Sequence, residues 1–122
     1  MKVEDLIGMP GIKYVASPYS QYITLESAWR DVSVATGKLM KMGMTGVYSP
    51  IAHGHTVSRH HGGIDDLDAE WWERQDADHV NAAVACIVIC LPGWDKSRGV
   101  NHEIATFMEA GKPVVYVDPE SI

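Results

Sequence analysis

Residues Ala85 to Leu91 read Ala-Cys-Ile-Val-Ile-Cys-Leu, seven apolar side chains without a polar interruption. A strand with one wet face alternates apolar and polar residues, whereas a run this uniform suits a strand covered on both faces, as in parallel sheets layered by helices. The rest of the chain agrees. Apolar segments alternate with longer amphipathic ones, and no repeat, linker or low-complexity tract interrupts them, which is the pattern of an α/β domain.

The first strand is expected over Ile12 to Ala16, stopped by Ser17 and Pro18. A helix follows from Thr24 to Met42, with Leu25, Ala28, Trp29, Val32, Ala35 or Thr36, and Leu39 at helical spacing. Thr24 suits its N-cap and Glu26 its first turn, while Lys38, Lys41 and Gly43 suit its end. A short strand is expected over Thr45 to Tyr48. The polar, histidine-containing stretch Ser49 to Gly63 reads as a long loop. Asp65, Asp66 and Asp68 precede a helix over Ala69 to Ala83, and the apolar run Ala85 to Leu91 is the third strand. Pro92 to Arg98 reads as a loop, Val100 to Ala110 as a helix stopped by Gly111, and Val114 to Val117 as the fourth strand. Right-handed crossovers turn this order into a three-layer α/β fold, a flavodoxin- or Rossmann-like parallel sheet of four to five strands with helices on both faces. Such sheets bind ligands at the carboxyl ends of their strands, where strand order reverses. The segments Ser17 to Ile23, Ser49 to Gly63 and Pro92 to Asn101 are expected to meet there.

A chain of 122 residues makes one domain, residues 1–122. Sixteen acidic residues against ten scattered basic ones leave a net charge of −6, which disfavours a grip on a nucleic-acid polymer. No apolar run of about 18 residues and no basic segment ahead of an apolar one is present, so no membrane association is expected and the compartment is read as cytoplasmic. Cys86 and Cys90 would stand roughly 13 Å apart on one strand, beyond disulfide reach, and read as buried thiols in a reducing compartment. No dinucleotide fingerprint, P-loop or nucleophile elbow occurs. His102-Glu103 begins like a zinc-protease helix, but Thr106 stands where its second histidine would be. His53, His55, His60 and His61 lack a cysteine or carboxylate to complete a four-ligand set, so neither a metal nor a cofactor is assigned.

Chemistry concentrates in Gly93 to Glu103. This segment enters a helix whose free N–H groups favour an anion; Ser97 and Arg98 add donors, and Gly99 permits close backbone approach. Glu103 is expected in the first helical turn as an ionised carboxylate, able to act as a nucleophile or merely to face the helix dipole. On the preceding helix Trp72, Asp76, Val80 and Ala83 share one face, so Asp76 is the carboxylate turned inward, with Asp78 the alternative in another register.

Gly99-Val100-Asn101-His102-Glu103-Ile104-Ala105, followed by Gly111-Lys112-Pro113-Val114, resembles the signature of the nucleoside 2-deoxyribosyltransferase and nucleoside-monophosphate N-glycosidase superfamily. Tyr14 to Ser20, Tyr-Val-Ala-Ser-Pro-Tyr-Ser, resembles that family's first strand. The resemblance implies cleavage or transfer of an N-glycosidic bond, with Glu103 as nucleophile, Tyr14 beside it and Asp76 as second carboxylate. It also implies that Ser97, six residues before the glutamate, contacts phosphate, which favours a nucleoside 5′-monophosphate over a free nucleoside. Ser17 and Ser20 would assist; Gly99 and Asn101 join the substrate-binding set, and His53 and His55 would line the pocket or protonate the leaving base. Trp94 would cap the sheet edge or stack on a base. Relatives complete their sites from a neighbouring subunit, so a homodimer or larger homo-oligomer with a shared active site is expected, with Trp29, Trp71 or Trp72 as anchors. The contrasting reading is a module that binds a nucleotide or an ADP-ribose-like ligand without turning it over.

Overall fold

The computed structural model describes residues 1–122. Its centre is a four-stranded, all-parallel sheet in the order β2-β1-β3-β4, formed by β1 (Lys13–Ala16), β2 (Val47–Tyr48), β3 (Ala85–Ile89) and β4 (Val114–Val117). The helices are α1 (Leu25–Lys41), α2 (Pro50–His61), α3 (Ala69–Ala82) and α4 (Arg98–Glu109). The expected three-layer α/β architecture is therefore present, with four strands. No helix is long and apolar enough to cross a membrane.

Side-chain alternation along the strands divides the core. Val15, Ile87, Ile89, Val115 and Val117 pack with Val32, Ala35 and Leu39 of α1 on one face. Tyr14, Ala16, Cys86 and Val88 pack with Val100 and Phe107 of α4 on the other. All residues of β1 and β3 are buried, as the unbroken apolar run Ala85 to Leu91 predicts. Cys86 and Cys90 are free thiols.

β1 also carries a buried charge. Lys13 has no exposed surface, and its ammonium donates to the backbone carbonyls of Met9 and Thr45 at the amino end of the sheet. These bonds compensate its removal from water and tie two connecting segments to β1.

Ser49 to Gly63 is not a loop. Ser49 caps α2 by accepting a hydrogen bond from the Ala52 N–H at 3.1 Å, Pro50 occupies the first turn, and Gly62 closes the helix at φ 78°. Histidine and serine lower helix propensity only slightly, and a capping serine, an N-terminal proline and a left-handed glycine together override that cost. Elsewhere the limits move by a few residues. β2 is confined to Val47–Tyr48. α4 begins at Arg98 rather than Val100 because Ser97 caps it, accepting from the Val100 N–H at 3.2 Å. Within the expected loop after β3, Trp94–Lys96 forms a 3₁₀ turn.

α1 joins β1 to its neighbour on one side, and α4 joins β3 to its neighbour on the other. Strand order thus reverses between β1 and β3, and the segments leaving their carboxyl ends flank a crevice.

Gly46, just before β2, has φ 69°, and a Cβ there would collide with the carbonyl of Gly11. Gly46→Ala is expected to destabilise the protein by about 2–4 kcal/mol in urea unfolding, since the backbone must yield at the pairing of β1 with β2. A change within about 0.5 kcal/mol would contradict this reading of the turn.

Candidate active site

The crevice opens into a cavity of about 400 Å³. Its walls come from the segment after β1, from α2 and α3, and from the start of α4. Eight of the ten residues singled out from sequence line it: Tyr14, Ser17, Ser20, His55, Asp76, Ser97, Gly99 and Glu103.

Three of them form its reactive centre. Tyr14, on the α4 face of β1, is held between Tyr48 and Phe107 with ring centroids 6.1 and 5.7 Å away. Its hydroxyl lies beside Glu103; burial, and then the charges of Glu103 and Asp76, keep it a neutral phenol. Glu103 stands in the second turn of α4, not the first. Burial pushes its carboxyl up to about 8; Tyr14 opposes this by hydrogen bonding, and Asp76 and Glu73 reinforce it by charge. The expectation of an ionised carboxylate at a helix start therefore fails, because desolvation outweighs a helix dipole that fades beyond the first turn. Asp76 faces the same cavity, and burial raises it to about 6, with His53 pulling the other way. Asp78 is exposed, so the register of α3 favours Asp76.

Between pH 6 and 8 the pair Glu103 and Asp76 therefore carries about one proton. Such a pair offers a proton and a nucleophilic or hydrogen-bonding carboxylate together.

The end of the cavity formed by Ser17 and α4 has donor character. The Ser17 hydroxyl is buried and has no hydrogen-bond partner. Ser97 spends its oxygen on the α4 cap and keeps its own proton to donate. Arg98 and Gly99 follow in the first turn, and Arg98 reaches Glu73 at 3.8 Å. Unfilled N–H groups, an orphan hydroxyl and a guanidinium together suit an anion.

Two residues singled out from sequence lie elsewhere. His53 lines a separate cavity of about 70 Å³ against Tyr48, Asp76 and His79, and its Nδ1 is 3.5 Å from the Tyr48 hydroxyl; it acts on Asp76 through charge. Asn101 is exposed and donates to the Asp95 carbonyl at 3.1 Å, fastening the 3₁₀ turn to α4. The tryptophans have internal roles. Trp29 stacks on His55 with centroids 4.9 Å apart. Trp72 fills the space beside Gly54, where a Cβ would come within 2.7 Å of its ring, and packs edge-on against Trp71. Trp94 leans on Tyr116 at 5.5 Å, at the β4 edge of the sheet.

Sequence reasoning missed Tyr19 and Glu26, both bound to His55. The available signal was the helix over Pro50–His61, which sets Ile51, His55 and Ser58 on one inward stripe. No group of three or more histidine, cysteine, aspartate or glutamate side chains is arranged to hold a metal ion.

Because Glu103 binds its proton more tightly folded (about 8) than at its ordinary value of 4.5, its contribution to stability is complete below pH 4.5 and is lost as pH rises through 8. Glu103→Gln keeps the shape without the charge. Its melting temperature is expected to exceed that of the wild type by several degrees more at pH 9 than at pH 5. A pH-independent difference would contradict the buried, proton-holding glutamate.

Comparison with curated proteins returns no match. The family model described as a domain of unknown function, DUF1937, matches residues 11–118, a span that contains both carboxyls, Tyr14 and the whole sheet, and the chain belongs to that family.

Proposed function

We propose that the protein cleaves or transfers an N-glycosidic bond of a nucleotide or nucleoside, with a nucleoside 5′-monophosphate as the favoured substrate. The observation that carries this reading is a pair of carboxyls from different helices, Glu103 and Asp76, facing one cavity beside a neutral tyrosine and holding about one proton between pH 6 and 8. Retaining glycosidases use two carboxyl groups in this way, one as nucleophile and the other to handle protons.

In the proposed reaction the Glu103 carboxylate attacks the anomeric carbon as the C–N bond breaks. The base leaves with the electron pair of that bond, and a glycosyl ester on Glu103 remains. Positive charge builds on the sugar in the transition state, and a nearby carboxylate stabilises it most where water is excluded. Tyr14 orients Glu103. Asp76 holds a sugar hydroxyl or passes its proton to the departing base. Ser17, Ser97, Arg98 and the start of α4 hold the phosphate, which would supply the partner that the buried Ser17 hydroxyl lacks. Water then releases the sugar in a hydrolase, or a second base accepts it in a transferase.

The reading includes a homodimer or larger assembly that completes the pocket. It is supported by α3, which buries none of its residues fully, and by Leu67, which lines the cavity yet is 60% exposed.

Incubation with a panel of nucleosides and nucleoside 5′-monophosphates, followed by chromatography for free base, tests the reaction. Base release is expected, faster from the monophosphates, and Glu103→Ala is expected to lose it by at least about 10³-fold. Undiminished release by Glu103→Ala would overturn the assignment, and saturable binding with no release in the wild type would favour a binding module.

The pH profile is a second test. The reactive form has Glu103 ionised and the pair's proton on Asp76, so kcat/KM is expected to be bell-shaped with limbs near 6 and 8. A profile flat from pH 5 to 9 would contradict a shared proton.

A further inference from the structure

The wall of the cavity formed by α2 and the segment after β1 carries a second arrangement of proton-handling groups, separate from Glu103 and Asp76 on α4 and α3. His55 is almost fully buried in α2, with 6% of its surface exposed. Its Nδ1 lies 2.5 Å from the Tyr19 hydroxyl and its Nε2 lies 3.4 Å from Glu26 Oε1. Both atoms have one natural role in this geometry. A carboxylate only accepts, so Nε2 carries the hydrogen; Nδ1 is then the bare nitrogen and accepts from the phenol. The chain therefore runs in one direction, from Tyr19 O–H to His55 and from His55 to Glu26.

The histidine is fixed on every side. Trp29 stacks on one face at 4.9 Å with 30° between the planes, and Tyr19 meets the ring edge-on at 5.7 Å. Arg59 donates to the same Glu26 oxygen and lies 5.6 Å from the Trp29 ring centroid, which anchors the far end of the chain. Asp66 faces the phenol from the segment between α2 and α3, and accepts a hydrogen bond from Ser58. Tyr19 and His55 both line the cavity. A hydroxyl at a cavity wall, hydrogen-bonded to a base that a third group orients, has the layout of an activated hydroxyl. Tyr19 differs from a nucleophile in one respect. Burial, with Asp66 and Glu26 nearby, strongly disfavours its anion. It is suited to pass a proton on as it receives one, without dwelling as a phenolate.

We propose that Tyr19 is a catalytic proton acceptor for the incoming acceptor, water or the N–H of a second base, with His55 and Glu26 as positioning residues behind it. The inference rests on the glycosyl-transfer reading for the identity of the step. In the second half-reaction the acceptor's lone pair forms the new bond to the anomeric carbon as the bond to Glu103 oxygen breaks, and Glu103 leaves as a carboxylate. The acceptor's proton moves to Tyr19 oxygen while the Tyr19 proton moves to His55 Nδ1, and Glu26 stabilises the imidazolium so formed. Return of the proton to solvent restores the chain. Asp76 is thereby spared a second proton-transfer role, and the two half-reactions draw on different walls of the cavity.

The two half-reactions make the test selective. With a nucleoside 5′-monophosphate and the full chain, rapid-quench measurement of free base separates the first turnover from the steady state. Tyr19→Phe is expected to keep a stoichiometric first release of base and to lose about 10²-fold or more in steady-state turnover; His55→Gln should show the same split to a smaller degree. Equal loss in both phases, or no loss in turnover, overturns the proposal. Nitrogen-15 NMR of the histidines checks the chain independently of any activity. His55 is expected as the Nε2–H tautomer, with its Nδ1 signal moving in Tyr19→Phe. An Nδ1–H tautomer overturns the relay whatever the substrate. If the wild type releases no base from any nucleotide, the glycosidic reading falls, and the tautomer with its response to Tyr19→Phe then decides the relay alone.

Discussion

β1 and β3 lie side by side in full burial, and the chain leaves them in opposite directions to build β2 on one flank and β4 on the other. Everything in the candidate site depends on that pairing. Its register sets Tyr14 against Cys86, and the pairing of β1 with β2 sets Tyr48 on its other side, on the face covered by α4, so the phenol meets a glutamate projecting from the second turn of that helix. The reversal of strand order between the same two strands opens the crevice into which the segments after β1 and β3 deliver Ser17, Tyr19, Ser97 and Arg98. Gly46 and Lys13 secure this geometry from the opposite end of the sheet, one by permitting close backbone approach and the other by bridging two carbonyls.

Two effects compete at Glu103, and their magnitudes decide its state. A carboxylate near a helix N-terminus gains about 0.3–1 kcal/mol, and the gain fades past the first turn. Removal from water between α3, α4 and β1 acts in the opposite direction and prevails, raising the group to about 8. A glutamate held this way costs stability at neutral and alkaline pH, and a developing positive charge in the cavity would offset that cost. Functional sites commonly store instability of this kind, because the groups that must respond to a ligand are left incompletely satisfied without one. The Ser17 hydroxyl, buried without a partner, is a second instance in the same cavity.

Much of the architecture is legible in the sequence because its signals are physical and local. The uniform run Ala85 to Leu91 demands a sheet covered on both faces, and the spacing of Ala28, Val32 and Leu39 demands a helix on one of them. The choice of Asp76 over Asp78 follows from the same periodicity. Ser49 to Gly63 is harder, since four histidines, three glycines and a proline obscure an amphipathic pattern of low contrast, and only the Ser49-Pro50 start and Gly62 mark the helix. That one misreading conceals the environment of His55, whose partners Tyr19 and Glu26 lie 36 and 29 residues away in the chain. The protonation of Glu103 is concealed for a different reason. Desolvation is a property of the assembled cavity, and a helix position in a sequence carries only the weaker, opposing effect of the dipole.

The central claim is that Glu103 forms a covalent bond with the sugar. Intact-mass spectrometry of the protein quenched in acid during turnover of a nucleoside 5′-monophosphate, followed by peptide mapping, addresses this bond itself. The expected result is an added sugar-phosphate mass on the peptide carrying Glu103, absent in Glu103→Gln, with accumulation enhanced in Tyr19→Phe. Base release under the same conditions with an adduct on another residue, or with none even in Tyr19→Phe, would contradict it.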